Sequence, residues 1–195
     1  FSGDTIRPLL SFPNLSHVRI EGATGFLLDD DFVAAMATAW PSLASLTLCR
    51  GTLRPDRPEP PSTPSILSLQ SFASHCPHLE FLRIPVNAKN LPPPAPDASH
   101  QRRRPQTALE ELHVDDAPID KVGTDTSVDV ARFLSCTFPA LRTIETTPRR
   151  RREGVQDMKA ERQRWQEVER VLPLLAAVRA EEEKYWREEL ASAMS

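Results

Sequence analysis

One apolar pattern, L-x-x-L-x-[IL], recurs five times along this chain. Its best-formed copy is Cys76-Pro77-His78-Leu79-Glu80-Phe81-Leu82-Arg83-Ile84, and the others occupy residues 13–20, 41–48, 109–114 and 139–144. A recurring unit narrows the possible folds sharply, because a unit that cannot bury its own apolar face must share a core with its neighbours. The first leucines stand at Leu15, Leu43, Leu79, Leu109 and Leu141, so the intervals are 28, 36, 30 and 32 residues. Each interval is long enough for a strand, a helix and a variable loop.

Each copy reads as a turn, three times led by Phe-Pro or Cys-Pro, followed by a short strand whose residues at i, i+3 and i+5 point inward. Helical runs stand between them. Phe32 to Trp40 follows Asp29-Asp30-Asp31, carboxylates suited to an N-cap and to the positive end of a helix dipole. Ile66, Leu69, Phe72 and Ala73 share one helical face in 65–76, and Val128, Ala131, Phe133 and Leu134 are the expected buried residues of 127–138. Leu15, Leu79 and their counterparts are expected in the core. Two connections, 54–64 and 87–106, are rich in proline and charge and read as loop insertions.

After Pro148 the character changes to four arginines, 149–152, and then a long helical segment with Trp165, Val168, Leu172 and Leu175 on one face. An array end exposes an apolar edge, and an amphipathic helix covers it. Pro173 is expected to kink or divide that helix. A coiled-coil or partner-binding helix is the alternative, which the exposed-looking Tyr185 and Trp186 permit. The organisation expected is therefore an array over 1–147, about five irregular units, and an Arg-rich linker with a capping helix over 148–195. The rival is a doubly wound α/β sheet, which also alternates strand and helix. Against it, the strands are near-copies and no Gly-rich strand-to-helix turn appears.

Hydrophobic residues at 39% and aromatics at 6% are low for a compact globule and suit an elongated array. A net charge of -3 gives no global drive towards nucleic acid or anionic lipid. The longest apolar stretch, near 171–178, is broken by Pro173 and too short to span a bilayer, so no membrane partner is expected. Three widely spaced cysteines do not form a secreted disulfide framework, and a cytoplasmic or nuclear protein is expected. The start at Phe1 reads as a fragment or a processed product.

The motif at 76–84 resembles the C-P-x-L-x-x-L-x-[IL] signature of cysteine-containing leucine-rich repeats. With Phe12-Pro13-Asn14-Leu15, Phe138-Pro139-Ala140-Leu141 and the Pro-rich inserts, the chain is similar to fungal F-box/leucine-rich-repeat proteins. The resemblance implies an α/β leucine-rich-repeat solenoid, with short parallel strands on one face and helices on the other, closed by a C-terminal helix. It also implies a substrate-recognition region of an SCF-type ubiquitin ligase. No F-box helix cluster is present in these residues, so a Skp1-type ligase scaffold would be held only through a missing N-terminal F-box.

On that layout the residues between the inward ones form a concave surface for a protein target. His17, Arg19 and Glu21 align with Ser45, Thr47 and Cys49, with Phe81, Arg83 and Pro85, with Glu111, His113 and Asp115, and with Thr143, Glu145 and Thr147. Candidate partner-binding residues are His17, Arg19, Phe81, Arg83, Glu111, His113 and Glu145, with Phe81 as apolar anchor. Arg83→Glu is expected to weaken capture with little change in melting temperature. The arginine runs 102–104 and 149–152 suit phosphate contacts, but the second is balanced by nearby acids, so nucleic acid is not the expected partner. His75, Cys76 and His78, or Asp29 to Asp31, offer metal-ligand chemistry without a second ligand pair at zinc spacing, and no metal or cofactor is expected. Six glycines form neither GxGxxG nor GxxxxGK, and an interaction module is favoured over an enzyme on an α/β scaffold or a nucleic-acid-associated scaffold.

Overall fold

The computed structural model describes residues 3–22, 26–50, 63–89, 91, 106–115, 117–119, 126–146 and 155–193. Most of the inserts 54–64 and 87–106, and all of the arginine runs 102–104 and 149–152, lie outside the described residues. The order of elements is α1 (Gly3–Ile6), a 3-10 turn (Arg7–Ser11), β1 (His17–Gly22), α2 (Asp30–Ala39), β2 (Ser45–Arg50), a second 3-10 turn (Ile66–Ser68), α3 (Leu69–His75), β3 (Phe81–Arg83), β4 (Glu111–His113), α4 (Thr126–Thr137), β5 (Thr143–Glu145) and α5 (Val155–Ala193). The protein is α/β, with one five-stranded parallel sheet in the order β1-β2-β3-β4-β5.

Sequence order and spatial order coincide because each unit repeats the same joint. Ahead of every strand from β2 on, one carbonyl of the preceding unit accepts two successive backbone N–H groups. Ser16 accepts from Ala44 and Ser45 (2.8 and 3.0 Å), Ala44 from Glu80 and Phe81 (2.8 and 3.3 Å). Glu80 accepts from Glu110 and Glu111 (3.0 and 3.3 Å), and Glu110 from Arg142 and Thr143 (3.0 and 3.2 Å). These joints set the register, which aligns Val18, Leu46, Leu82, Leu112 and Ile144 as one buried row. Leu43, Leu79, Leu109 and Leu141 form a second buried row. Leu15, expected in the core, is only half-buried, as is Ile20. Both belong to the first unit, where β1 is the sheet edge and has a neighbour on one side only.

The lead-in turns show how the proline motif works. Leu15 N–H donates to Phe12 O, Leu43 to Trp40 O, Leu79 to Cys76 O and Leu141 to Phe138 O, at 3.1–3.4 Å. The fourth copy has no such proline turn, and a side chain takes its place. Gln106, 3% exposed, accepts from the N–H groups of Ala108 and Leu109 through Oε1 (3.1 and 2.8 Å). Its Nε2 donates to the carbonyls of Cys76 and Leu79 in the unit before (3.3 and 2.7 Å).

The helices bury one side each. Asp29 caps α2 as expected, its carboxylate accepting from Phe32 N–H at 2.8 Å, and Asp30 accepts from Ser65 N–H and Oγ, both at 2.6 Å. In α4 the buried residues are Ser127, Val130, Ala131, Leu134 and Ser135, whereas Phe133, expected in the core, is half-buried and Val128 is 41% exposed. Val128 satisfies the apolar spacing, but it lies in the first turn with its side chain on the solvent side, and Val130 fills the inward position.

Helix α5 packs on α4, burying Trp165, Val168 and Leu172, and Trp165 Nε1 donates to Ala117 O at 2.9 Å. The helix is continuous through Pro173, so of the kink or division expected there the division does not occur. Proline removes one donor from the ladder, the one due to Glu169 O, and Glu169 is only half-buried, so water can reach that side of the helix. Among the described residues no helix is long and apolar enough to cross a membrane.

Candidate functional site

Side chains alternate along a strand, so the sheet face opposite the core carries the residues between the buried ones. The observed pairings place them in the rows expected from the repeat. His17, Ser45, Phe81, Glu111 and Thr143 form one row, and Arg19, Thr47, Arg83, His113 and Glu145 the next. Glu21 stands beside Cys49 at the end of β1 and β2. All seven candidate residues, His17, Arg19, Phe81, Arg83, Glu111, His113 and Glu145, therefore share one face.

Their environments differ from one another. Thr47 and Cys49 are buried although they point to this face. They are short and stand between longer neighbours, and burial pushes the Cys49 thiol up, with Arg83, Glu21, Asp115 and Arg19 as the charges acting on it. The β2 positions thus form a floor between raised flanks.

Arg19 lies along its own strand and donates to Glu21 through Nε and Nη2 (3.0 and 2.6 Å). Both are exposed, and such a pair contributes little to stability. Arg83 reaches forward instead, donating through Nε and Nη2 to Asp115 Oδ1 (3.0 and 2.8 Å). Burial works against the Arg83 charge, yet the hydrogen bonds and negative charge of Asp115 outweigh it and raise its pKa. Asp115 holds φ at 46°, a left-handed conformation that Asp tolerates better than most side chains. That backbone turn places its carboxylate under the guanidinium.

Arg83 is therefore a partly buried structural cation as well as a face residue, and the expectation that Arg83→Glu spares stability is revised. Charge reversal sets a second carboxylate beside Asp115. The expected loss is about 1.5–3 kcal/mol, the range for hydrogen bonds to charged groups. A urea melt of the variant measures it; an unchanged midpoint contradicts this placement.

Phe81 and His113 pack ring on ring across β3 and β4, centroids 4.8 Å apart and planes at 53°. The His113 ring also meets two carboxylates. Nε2 is in hydrogen-bond contact with Glu111 Oε1, and Nδ1 faces Glu145 Oε2 at 3.6 Å. The outward residues of β1 to β5 and the turn after β4 bring two guanidinium groups, Arg19 and Arg83, against four carboxylates, Glu21, Glu111, Asp115 and Glu145. The acidic excess lies at the β4–β5 end. The sequence register brought the members of this cluster together, yet Asp115 was not among the candidates, since its pairing with Arg83 spans 32 residues.

Of the other residues with metal-ligand chemistry, Asp29, Asp30, His75 and Cys76 have structural contacts. Cys76 is fully buried, its Sγ 3.5 Å from the carbonyls of Ala37 and Trp40, and burial pushes its thiol up to about 12. His75 Nδ1 lies 3.0 Å from Ser71 O on its own helix. A cavity of about 390 Å³ is lined by Leu28, Asp29, Asp30, Asp31, Thr63 and Ser65, none of them on the strand face. Asp29 and Asp30 already serve as acceptors there.

Only the thiolate is a nucleophile, so the three cysteines should separate cleanly. Iodoacetamide on the native protein is expected to label exposed Cys136 first and to reach Cys49 and Cys76 only in denaturant, as read by peptide mass mapping. Native labelling of Cys76 at the rate of Cys136 contradicts the buried position.

No protein-family model matches the chain, and no curated protein matches it. Among solved structures it is similar to a tropomodulin C-terminal domain from Caenorhabditis elegans, at 11% identity and a TM-score of 0.41, over 94% of this chain and 98% of that one.

Proposed function

We propose that residues 1–147 form a leucine-rich-repeat solenoid whose strand face takes a protein target, with α5 as its terminal cap. The observation that carries this reading is the open face itself. Five parallel strands present side chains in registered rows, and the rows combine an aromatic, imidazoles and both signs of charge. Repeat arrays use such extended faces for macromolecules, because the recognition groups are spread over many units instead of converging in a pocket.

The distribution of charge supports a narrower reading of the partner. Around β4 and β5 the carboxylates of Glu111, Asp115 and Glu145 outnumber the nearby guanidinium of Arg83, while Phe81 offers an apolar contact beside them. A basic segment of a target carrying an apolar or aromatic anchor fits this end of the face. Rim charges act mainly on the rate of encounter, so capture through this face should weaken as salt rises.

The place of the module in a larger protein follows from the cysteine-containing repeat signature at 76–84. We read the chain as the target-recognition region of an F-box-type protein in an SCF-type ubiquitin ligase, working inside the cell. A longer coding sequence with an F-box ahead of Phe1, and capture of a Skp1-type scaffold by that longer protein but not by residues 1–195, is the expected result. Absence of an F-box upstream refutes the ligase assignment and leaves the interaction module to be tested separately.

A further inference from the structure

Glu111, His113 and Glu145 place one ring nitrogen and two carboxylate oxygens within 4.8 Å of one another. Two of these residues are i, i+2 on β4, and Glu145 is the registered partner of His113 on β5. The sheet therefore holds the group together through its backbone, independent of any loop.

The histidine has an unresolved requirement. Its side chain is only 12% exposed, and its two nitrogens meet carboxylates on opposite edges of the ring. Nε2 is in contact with Glu111, whereas buried Nδ1 has no hydrogen-bond partner and faces Glu145 at 3.6 Å. A neutral imidazole carries one N–H. When that proton sits on Nε2 and is donated to Glu111, Nδ1 turns a lone pair towards a carboxylate. In that state two acceptors face each other, and either a proton on Nδ1 or a metal ion between them relieves the pair. Among the described residues the guanidinium of Arg83, one strand away, is bonded to Asp115.

We propose that this cluster is a binding site for a divalent transition ion of the zinc class. His113 Nδ1 and the Glu145 carboxylate are the ligands, and Glu111 orients the ring through Nε2–H. Imidazole nitrogen and carboxylate oxygen bind zinc at about 2.0–2.2 Å, and ligands at that distance stand roughly 3.3 Å apart in a tetrahedral site. The 3.6 Å separation of Nδ1 and Oε2 is close to that value. A carboxylate on the far nitrogen is the usual outer support of a metal-bound histidine, since it fixes the tautomer and raises the basicity of the ligand. Phe81 against the ring limits its rotation. Glu145 is largely exposed, so the remaining coordination positions open to solvent and are filled by water. Magnesium is excluded by preference, because it takes oxygen ligands in octahedral geometry and keeps its water.

The test is calorimetric titration of the untagged, chelator-treated protein with zinc chloride in excess magnesium, with cobalt(II) absorption as a second readout. One equivalent of zinc should bind, raise the melting temperature and displace cobalt. His113→Ala and Glu145→Gln should abolish binding, and Glu111→Gln should weaken it by about 10- to 100-fold, the effect of removing an outer-shell partner. Circular dichroism checks the fold of each variant, and the near-isosteric Glu145→Gln change at an exposed position decides the matter if His113→Ala does not fold. No zinc binding by the parent protein, or full binding retained by Glu145→Gln, overturns the proposal. The result does not depend on whether the face also binds a protein.

Discussion

Gln106→Leu is expected to remove about 2–4 kcal/mol of folding stability, an effect larger than most single substitutions produce. The glutamine amide makes four hydrogen bonds in a dry setting, two to the N–H groups that start the fourth repeat and two to carbonyls of the third. Leucine has similar bulk but takes the glutamine partner from the N–H groups of Ala108 and Leu109 and from the carbonyl of Leu79, while Cys76 O keeps its bond from Leu79 N–H. Each buried unsatisfied group costs about 1–3 kcal/mol, and partial relaxation reduces the sum. Urea unfolding should show a lower midpoint with an unchanged slope, the sign of altered stability with the same buried surface. A loss below about 1 kcal/mol contradicts the bridging role. Gln106→Glu should not restore stability, because a carboxylate keeps the acceptor but turns negative charge towards the carbonyls of Cys76 and Leu79.

Trp165→Ala is expected to be more damaging, about 3–5 kcal/mol, the range for deleting a large buried aromatic side chain. Trp165 is 2% exposed, packs with Val168 and Leu172 against the last units, and its indole N–H satisfies the carbonyl of Ala117. Arg179 adds a second attachment about two turns beyond Leu172, donating to Ser135 Oγ, to Arg132 O at 3.4 Å and to Cys136 Sγ at 2.8 Å. Trp165→Phe keeps most of the apolar area and loses the one hydrogen bond, so it should cost about 1–3 kcal/mol. Hydrogen exchange decides between local and global effects. Loss of protection over both α5 and α4 is expected, since the two helices share their apolar faces. Unchanged protection in α4 contradicts the capping role of α5.

The strand half of the fold was legible because two periodicities coincide. Alternation along the strand and near-constant spacing between copies together fix which residues face out and which stand side by side, and the pairing of Arg83 with His113 followed from the leucine positions alone. What stayed hidden depends on contacts that pattern does not encode. Gln106 stands at the end of a Pro-rich stretch and looks like loop, and only its insertion between two units shows that it replaces a missing turn. Val128 obeys the apolar spacing but faces solvent from the first turn of its helix, where Ser127 and Val130 are the buried residues. Leu15 and Ile20 match the pattern and remain half-buried, because burial of an edge strand depends on a neighbour that the pattern cannot supply. Arg83 reads as a surface cation until Asp115 is placed beneath it by a left-handed turn.

The face cluster shows the same division. The register put Glu111, His113 and Glu145 together, while the unpartnered Nδ1 of His113 is a property of side-chain placement alone.

Whether the strand face receives a protein is tested most directly by photo-crosslinking in an extract of the source cells. A benzoyl-phenylalanine is placed at Arg19, at Phe81 or, on α5, at Glu188, which is exposed on the far end of that helix. Discrete adducts from 19 and 81, diminished by added salt and absent from 188, are the expected result. Adducts from 188 alone, or none from either face position, contradict it.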